Sequence, residues 1–272
     1  MVRFVMVNRR LPCPADGALG TGNAQSGVEQ RLAQECTAMA TGVVPWRSLG
    51  VPADAAMDAW GNLITYRVWA RTSGGVGSAI NTSLAMDGGM DFIKCDPAKK
   101  YDPILPNFLC NDSGSESGTF NVFFKVLTAK TGSSPIPPSL DARGFRACKD
   151  IPCNATPPTV PPGPPILPGA NELSRRVDGN GSAYFLISHG ANKFGAYNAA
   201  GQLLTTANGS GPGARETIHR NNQGLRATDL DNTFYIDADY DERPGSNYYD
   251  DIVSRPTVIS VAIAAGLGPR RP

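Results

Sequence analysis

Apolar and polar positions alternate with a period of two in several short stretches, and each predicts a strand. In LITYRVWAR (63–71), Ile64, Tyr66 and Val68 fall on one face and Thr65 and Arg67 on the other. In TFNVFFKVLTAK (119–130), Phe120, Val122, Phe124 and Val126 share a face. AYFLISH (183–189) is a continuous apolar run ending at a Ser-His pair. It is followed by Gly190, Asn192 and Gly195, residue types that tolerate positive φ, so a strand terminus and a turn are expected there.

A period near 3.6 occurs once, in SGVEQRLAQECTAMATG, where Val28, Leu32, Cys36 and Met39 share a face. Ser26 and Glu29 have the spacing of a capping box, and Gly42 is a natural stop, so a helix is expected over this segment. PPTVPPGPPILPG (157–169) suits neither helix nor central strand, because proline lacks the backbone donor. An extended strap within one domain is expected.

Composition narrows the picture. The 272 residues hold 30 glycines and 23 prolines, which favours a turn-rich, β-rich domain over a helical bundle. Lys+Arg is 25 against 24 Asp+Glu, so no basic surplus suggests a nucleic-acid partner. No apolar run of eighteen residues is present to span a membrane. The six cysteines, Cys13, Cys36, Cys95, Cys110, Cys148 and Cys153, lack the C-x-x-C spacing of zinc ligands and favour disulfides in an oxidising compartment. Proximity pairs Cys148 with Cys153 and Cys95 with Cys110, leaving Cys13 for Cys36; fifteen pairings are formally possible.

Candidate chemistry is sparse. Ser188-His189 lacks the G-x-S-x-G elbow of a hydrolase, and neighbours on a strand point to opposite faces. His219, the other histidine, lies in a polar stretch expected to be a loop. Asp237, Asp239 and Asp241 alternate beside Ile236 and Tyr240, which suits the polar face of a strand. They also resemble the opening of a calcium loop, but Glu242 stands where an EF-hand needs glycine. Paired carboxylates could serve a glycosidase. Trp46, Trp60, Trp69, Tyr248 and Tyr249 could form a sugar-stacking platform or plug a loop-rich core.

Four separated segments, in order, carry a family resemblance: LPCPADG (11–17), GVVPWRSLGVPADAAMDAWGNLITYRV (42–68), LISHGANKFGAYNAAG (186–201) and YYDDIV (248–253). Together they resemble type IV pilin-like proteins of bacteria, the minor pilins and the pseudopilins of type II secretion. The resemblance implies one α+β pilin-like head over 1–272, with an antiparallel sheet packed on a short helix and the remnant of an N-terminal helix. Residues 71–182, including the strap, form a long disulfide-bearing insertion relative to that pattern. MVRFVMVNRR looks like the last turns of the family's hydrophobic helix, whose preceding part is missing.

The implied function is structural: a filament subunit, periplasmic or extracellular, that packs against itself or sister pilin subunits and needs no enzyme chemistry. Membrane contact would come only through the missing helix. In the major pseudopilins the turn after the strand and the carboxylate before the last strand help hold calcium. Carried over by position, this implies Asn192, where the family often has Asp, and Asp251, with Asp250 as an added carboxylate. The rival function from another class is a secreted carbohydrate-binding module or adhesin.

Overall fold

The computed structural model describes residues 1–8, 10–32, 35–36, 41–68, 145–153, 171–174, 181–209, 211–222, 234–257, 260–261 and 264–266. The expected strand 119–130, the strap 157–169, Trp69, Cys95 and Cys110 lie outside the described residues.

The chain opens with helix α1 (Val2–Asn8) and then forms β1 (Arg31–Leu32), β2 (Glu35–Cys36) and β3 (Thr41–Val43). β4 (Asn62–Leu63) and β5 (Thr65–Val68) follow a 3-10 turn at Ala53–Ala56. Next come β6 (Arg146–Cys148), β7 (Glu172–Ser174), β8 (Tyr184–Ser188) and β9 (Tyr197–Asn198). Helix α2 (Ala214–Asn221), β10 (Phe234–Ile236) and β11 (Ile252–Ser254) complete the elements.

The main sheet is four-stranded and antiparallel, in the order β11-β8-β5-β3. β5 lies inside it and is covered on both faces, so all four of its residues are buried. The alternation in 63–71 therefore marks two different interiors rather than a dry and a wet face. Tyr66 and Val68 join the apolar core with Phe145, Phe185, Ile187 and Tyr235, whereas Thr65 joins a polar interior. Phe185 stacks on Tyr235 at 4.3 Å between ring centroids, and Phe145 meets both rings edge-on. A second sheet, β10-β6-β7, contains one parallel pair, β10 with β6.

The mixed helix and sheet content is the α+β class expected, but the helices are not where the periodicity placed them. Within 26–42 the described residues form turns, the β1–β2 hairpin and the start of β3, where Gly42 pairs with Tyr66 instead of ending a helix. Ser26 and Glu29 do not cap a helix. Ser26 Oγ donates to the Leu19 carbonyl, and Glu29 takes a bidentate pair from Arg10 and the amide of Cys13. Tertiary contacts to Arg10 and the Cys13–Cys36 disulfide override the local 3.6-residue pattern.

Among the described residues two disulfides are formed, Cys13–Cys36 and Cys148–Cys153, with Cα–Cα distances of 5.4 Å and 5.8 Å. They fit an oxidising environment. No helix among the described residues is long and apolar enough to cross a membrane.

Candidate functional site: a buried carboxylate–histidine cluster

Three segments distant in sequence converge beneath the end of β8. The first is the turn His189–Ala196. Gly190 and Gly195 take positive φ there, as expected, and Lys193, not Asn192, is the non-glycine residue with positive φ. A Cβ at Gly190 would stand 2.3 Å from Asp250 Cγ, so glycine is required where the turn presses on Asp250.

The second segment is α2. The polar stretch around His219, expected to be a loop, is instead helical: Glu216, at the third helical position, reaches back to the Gly213 amide at 3.0 Å and closes the first turn. The legible signal was glycine followed three residues later by glutamate, with Arg220 in the last turn, where a cation suits the helix dipole. A Cβ on Gly213 would meet the Tyr248 carbonyl oxygen at 1.8 Å, so only glycine lets the helix start this close to the third segment, 248–251.

Glu216, Asp250 and Asp251 are all buried, and a carboxylate oxygen from each lies within 4.8 Å of the others. Glu216 Oε1 accepts from the Asp250 amide, and Oε2 from the Gly213 amide and Asn192 Nδ2. Asp250 Oδ2 accepts from the Asn192 amide and the Tyr248 hydroxyl, each at 3.0 Å. Asp251 Oδ2 accepts from His219 Nδ1 at 2.5 Å. His219 Nε2 accepts the Ile236 amide at 3.0 Å, which places the ring's proton on Nδ1.

Burial and the neighbouring Asp251 charge push Glu216 up to about 8, against the amides that favour its ionised form. Burial also pushes Asp251 up, but His189 and His219 beside it outweigh burial and hold it below the ordinary carboxylate value. Burial, then the bond to Asp250, raises Tyr248.

Of the residues implied as ligands, Asp250 and Asp251 come together and are joined by Glu216, which the sequence reading missed because the helix carrying it was not recognised. Asn192 is also in the cluster, but its oxygen accepts the Phe194 amide and its nitrogen faces Glu216. The donor chemistry fits a divalent ion: the carboxylates are concentrated, and Asp250 Oδ1 and Asp251 Oδ1 are buried without a hydrogen-bond partner.

The Ser-His pair resolves differently from a nucleophile and its base. Ser188 Oγ donates to Asp58 Oδ2 at 2.8 Å, away from His189. His189 Nε2 instead meets Thr65 Oγ1 at 2.9 Å, and its Nδ1 lies 3.6 Å from Asp251 Oδ1. Hydroxyl, imidazole and carboxylate thus line up, but all three are buried within the fold.

The other acidic residues are dispersed onto separate cations. Asp237 pairs with Arg255, Asp239 with Lys149 and Asp241 with Arg243, so their alternation does not build a common carboxylate centre. Trp46, Tyr248 and Tyr249 are buried, and of the aromatics singled out only Trp60 is exposed among the described residues. No protein-family model, curated protein or solved structure matches the chain.

Proposed function

We infer that this chain is the head domain of a bacterial pilin-like filament subunit, a minor pilin or pseudopilin, that assembles by packing against copies of itself or sister subunits. The observation that carries the reading is the way α1 enters the fold. Val5 is fully buried in the main core, while Met6 and Val7 on the same short helix are exposed. An N-terminal helix with one face sealed into the head and another left apolar suits an element that continues its packing in an assembly.

Supporting features are the four-stranded antiparallel sheet and the four motif segments that surround it. LPCPADG is tied down by Cys13–Cys36, and Tyr66 donates from β5 to the Pro12 carbonyl. LISHGAN and YYDDIV meet at the buried cluster. The carboxylates of Glu216, Asp250 and Asp251 are where a divalent ion would lock the head, the role that the resemblance assigns to calcium. A periplasmic or surface location accords with the two disulfides.

The test is fractionation of the source cells. Filaments sheared from the surface, or trapped in the periplasm by cross-linking, should carry the chain in contact with pilin-type subunits. Recovery solely as a free monomer, with no cross-link to such subunits, would overturn the reading. The alternative of a sugar-binding module loses Tyr249, which is buried.

A further inference from the structure

The Cys148–Cys153 bond joins residues only 5 apart and closes a small loop at the end of β6. Its two halves have different surroundings. Cys148 is fully buried beside Ile236 and Tyr249, whereas Cys153 is only partly buried and follows the exposed residues Ile151 and Pro152. Arg146 Nη2 donates to both the carbonyl oxygen and Sγ of Cys153, each at 3.4 Å. A guanidinium in that place stabilises the thiolate that reduction produces and does little for the neutral disulfide, so it favours opening. Cys13 and Cys36, by contrast, are both buried. The small loop also braces α2. Asp150 takes a bidentate pair from Arg215, the second residue of α2, through Nε and Nη2, each at 2.9 Å. Ile218 of α2 packs, as Cys153 does, against the cluster of Cys148, Ile236 and Tyr249. On the same helix, Glu216 accepts the Asp250 amide and His219 donates to Asp251, so the position of α2 decides whether the buried cluster holds together.

We propose that Cys148–Cys153 is a redox-sensitive brace on α2, opened at Cys153 by a thiol reductant. The thiolate of the reductant attacks Cys153 Sγ, on the less buried residue of the pair. The S–S bond breaks with its electron pair on Cys148 Sγ, which takes a proton from water. A second reductant thiolate attacks the reductant's own sulfur in the mixed disulfide and expels Cys153 as a thiolate beside Arg146. The products are a Cys148 thiol, a Cys153 thiolate and the reductant in its disulfide form, so both electrons come from the reductant. Once the bond is open, Asp150 is no longer held in a closed loop, and its grip on Arg215 weakens. Reoxidation runs the same exchange backwards and restores the brace. This inference does not rest on the filament reading, because reduction is measured on the isolated chain.

The experiment exposes the full, folded chain to reduced glutathione at neutral pH. Samples are quenched in acid, free thiols are alkylated, and each cysteine is read by peptide mass mapping, which separates this pair from Cys13, Cys36, Cys95 and Cys110. Cys148–Cys153 should be reduced at least about tenfold faster than Cys13–Cys36. In mixed glutathione buffers, Arg146→Met should lower the equilibrium constant for reduction of this pair by about fivefold, and Arg146→Lys, which keeps the charge, should restore most of it. Hydrogen exchange of the α2 amides should quicken about tenfold when this pair alone is open, with the β5 and β8 amides unchanged. Asp150→Asn should quicken the same α2 amides with the disulfide intact. Reduction no faster than that of Cys13–Cys36 overturns the inference, as does an equilibrium constant in Arg146→Met equal to that of the wild type. Exchange in α2 that is indifferent to the open bond or to Asp150→Asn overturns it too and would leave the pair a plain structural disulfide. If the Arg146 variants fail to fold, the reduction rates and the α2 exchange of the wild type decide alone.

Discussion

At the scale of single residues, the fold depends on a few positions where a side chain, or its absence, sets the approach of two segments. Gly213 is the sharpest. Any larger residue drives its Cβ into the Tyr248 carbonyl, so Gly213→Ala should lower stability by about 2–4 kcal/mol and detach α2 from 248–251. Urea denaturation monitored by circular dichroism reads this; an unchanged midpoint would refute the packing. Glu29 illustrates a charge effect with a definite sign. Burial raises its pKa, but the bonds from Arg10 and the Cys13 amide outweigh burial and leave it lowered. A lowered folded pKa stabilises the fold fully above the unfolded value near 4.5, and that contribution disappears as pH falls through the folded value. The difference between wild type and Glu29→Gln should therefore be about 1–3 kcal/mol at neutral pH and shrink below about pH 4. Urea midpoints between pH 7 and pH 3 test it, and a gap that widens on acidification would contradict the assignment.

Among elements, the informative contrast is between strands that follow their pattern and helices that do not. β8 lies within the apolar run 183–189, because it sits inside a sheet where burial favours apolar continuity, and β5 lies within 63–71, where the polar positions of the alternation are buried as well. The segment 26–42 has the periodicity of a helix, yet Glu29 is worth more to Arg10 and Cys13 than to a capping box. Conversely, α2 hides in a polar stretch because its buried face is made of Glu216 and His219, which no apolar count detects. The disulfides belong to this scale as well. Cys13–Cys36 closes a span of 23 residues and Cys148–Cys153 one of 5, so loop entropy assigns them about 3 and about 2 kcal/mol respectively. Paired Cys→Ser variants should show the larger Tm loss for the first; the reverse order would mean that packing around the fully buried Cys148 outweighs loop closure.

For the whole molecule, α1 carries one apolar residue inside the core and others on the surface, so folding and the proposed assembly can be tested apart. Val5→Asp buries an unpaired charge in the main core and should cost more than about 3 kcal/mol. Val7→Asp, at a position 76 % exposed, should change stability by less than about 0.5 kcal/mol. On the filament reading Val7→Asp should still reduce incorporation into sheared filaments. Normal incorporation would remove this face from the subunit contact, while a large Tm loss would show that it packs within the head.

The sequence by itself determined the position of β5 and β8 and the partner of Cys148, since these rest on local pattern and short spacing, whereas the α+β class came with the family resemblance and the partner of Cys13 only as the cysteine left over. It also singled out Asn192, Asp250 and Asp251, which do meet. Only the tertiary structure decided that Glu216, His189 and His219 join them, that Tyr249 is buried, and that Asp237, Asp239 and Asp241 go separate ways to Arg255, Lys149 and Arg243. The physical reason is the same in each case. A polar residue satisfies its hydrogen-bonding groups wherever the fold brings a partner, and contacts spanning 32 residues, as between His219 and Asp251, leave no periodic trace along the chain.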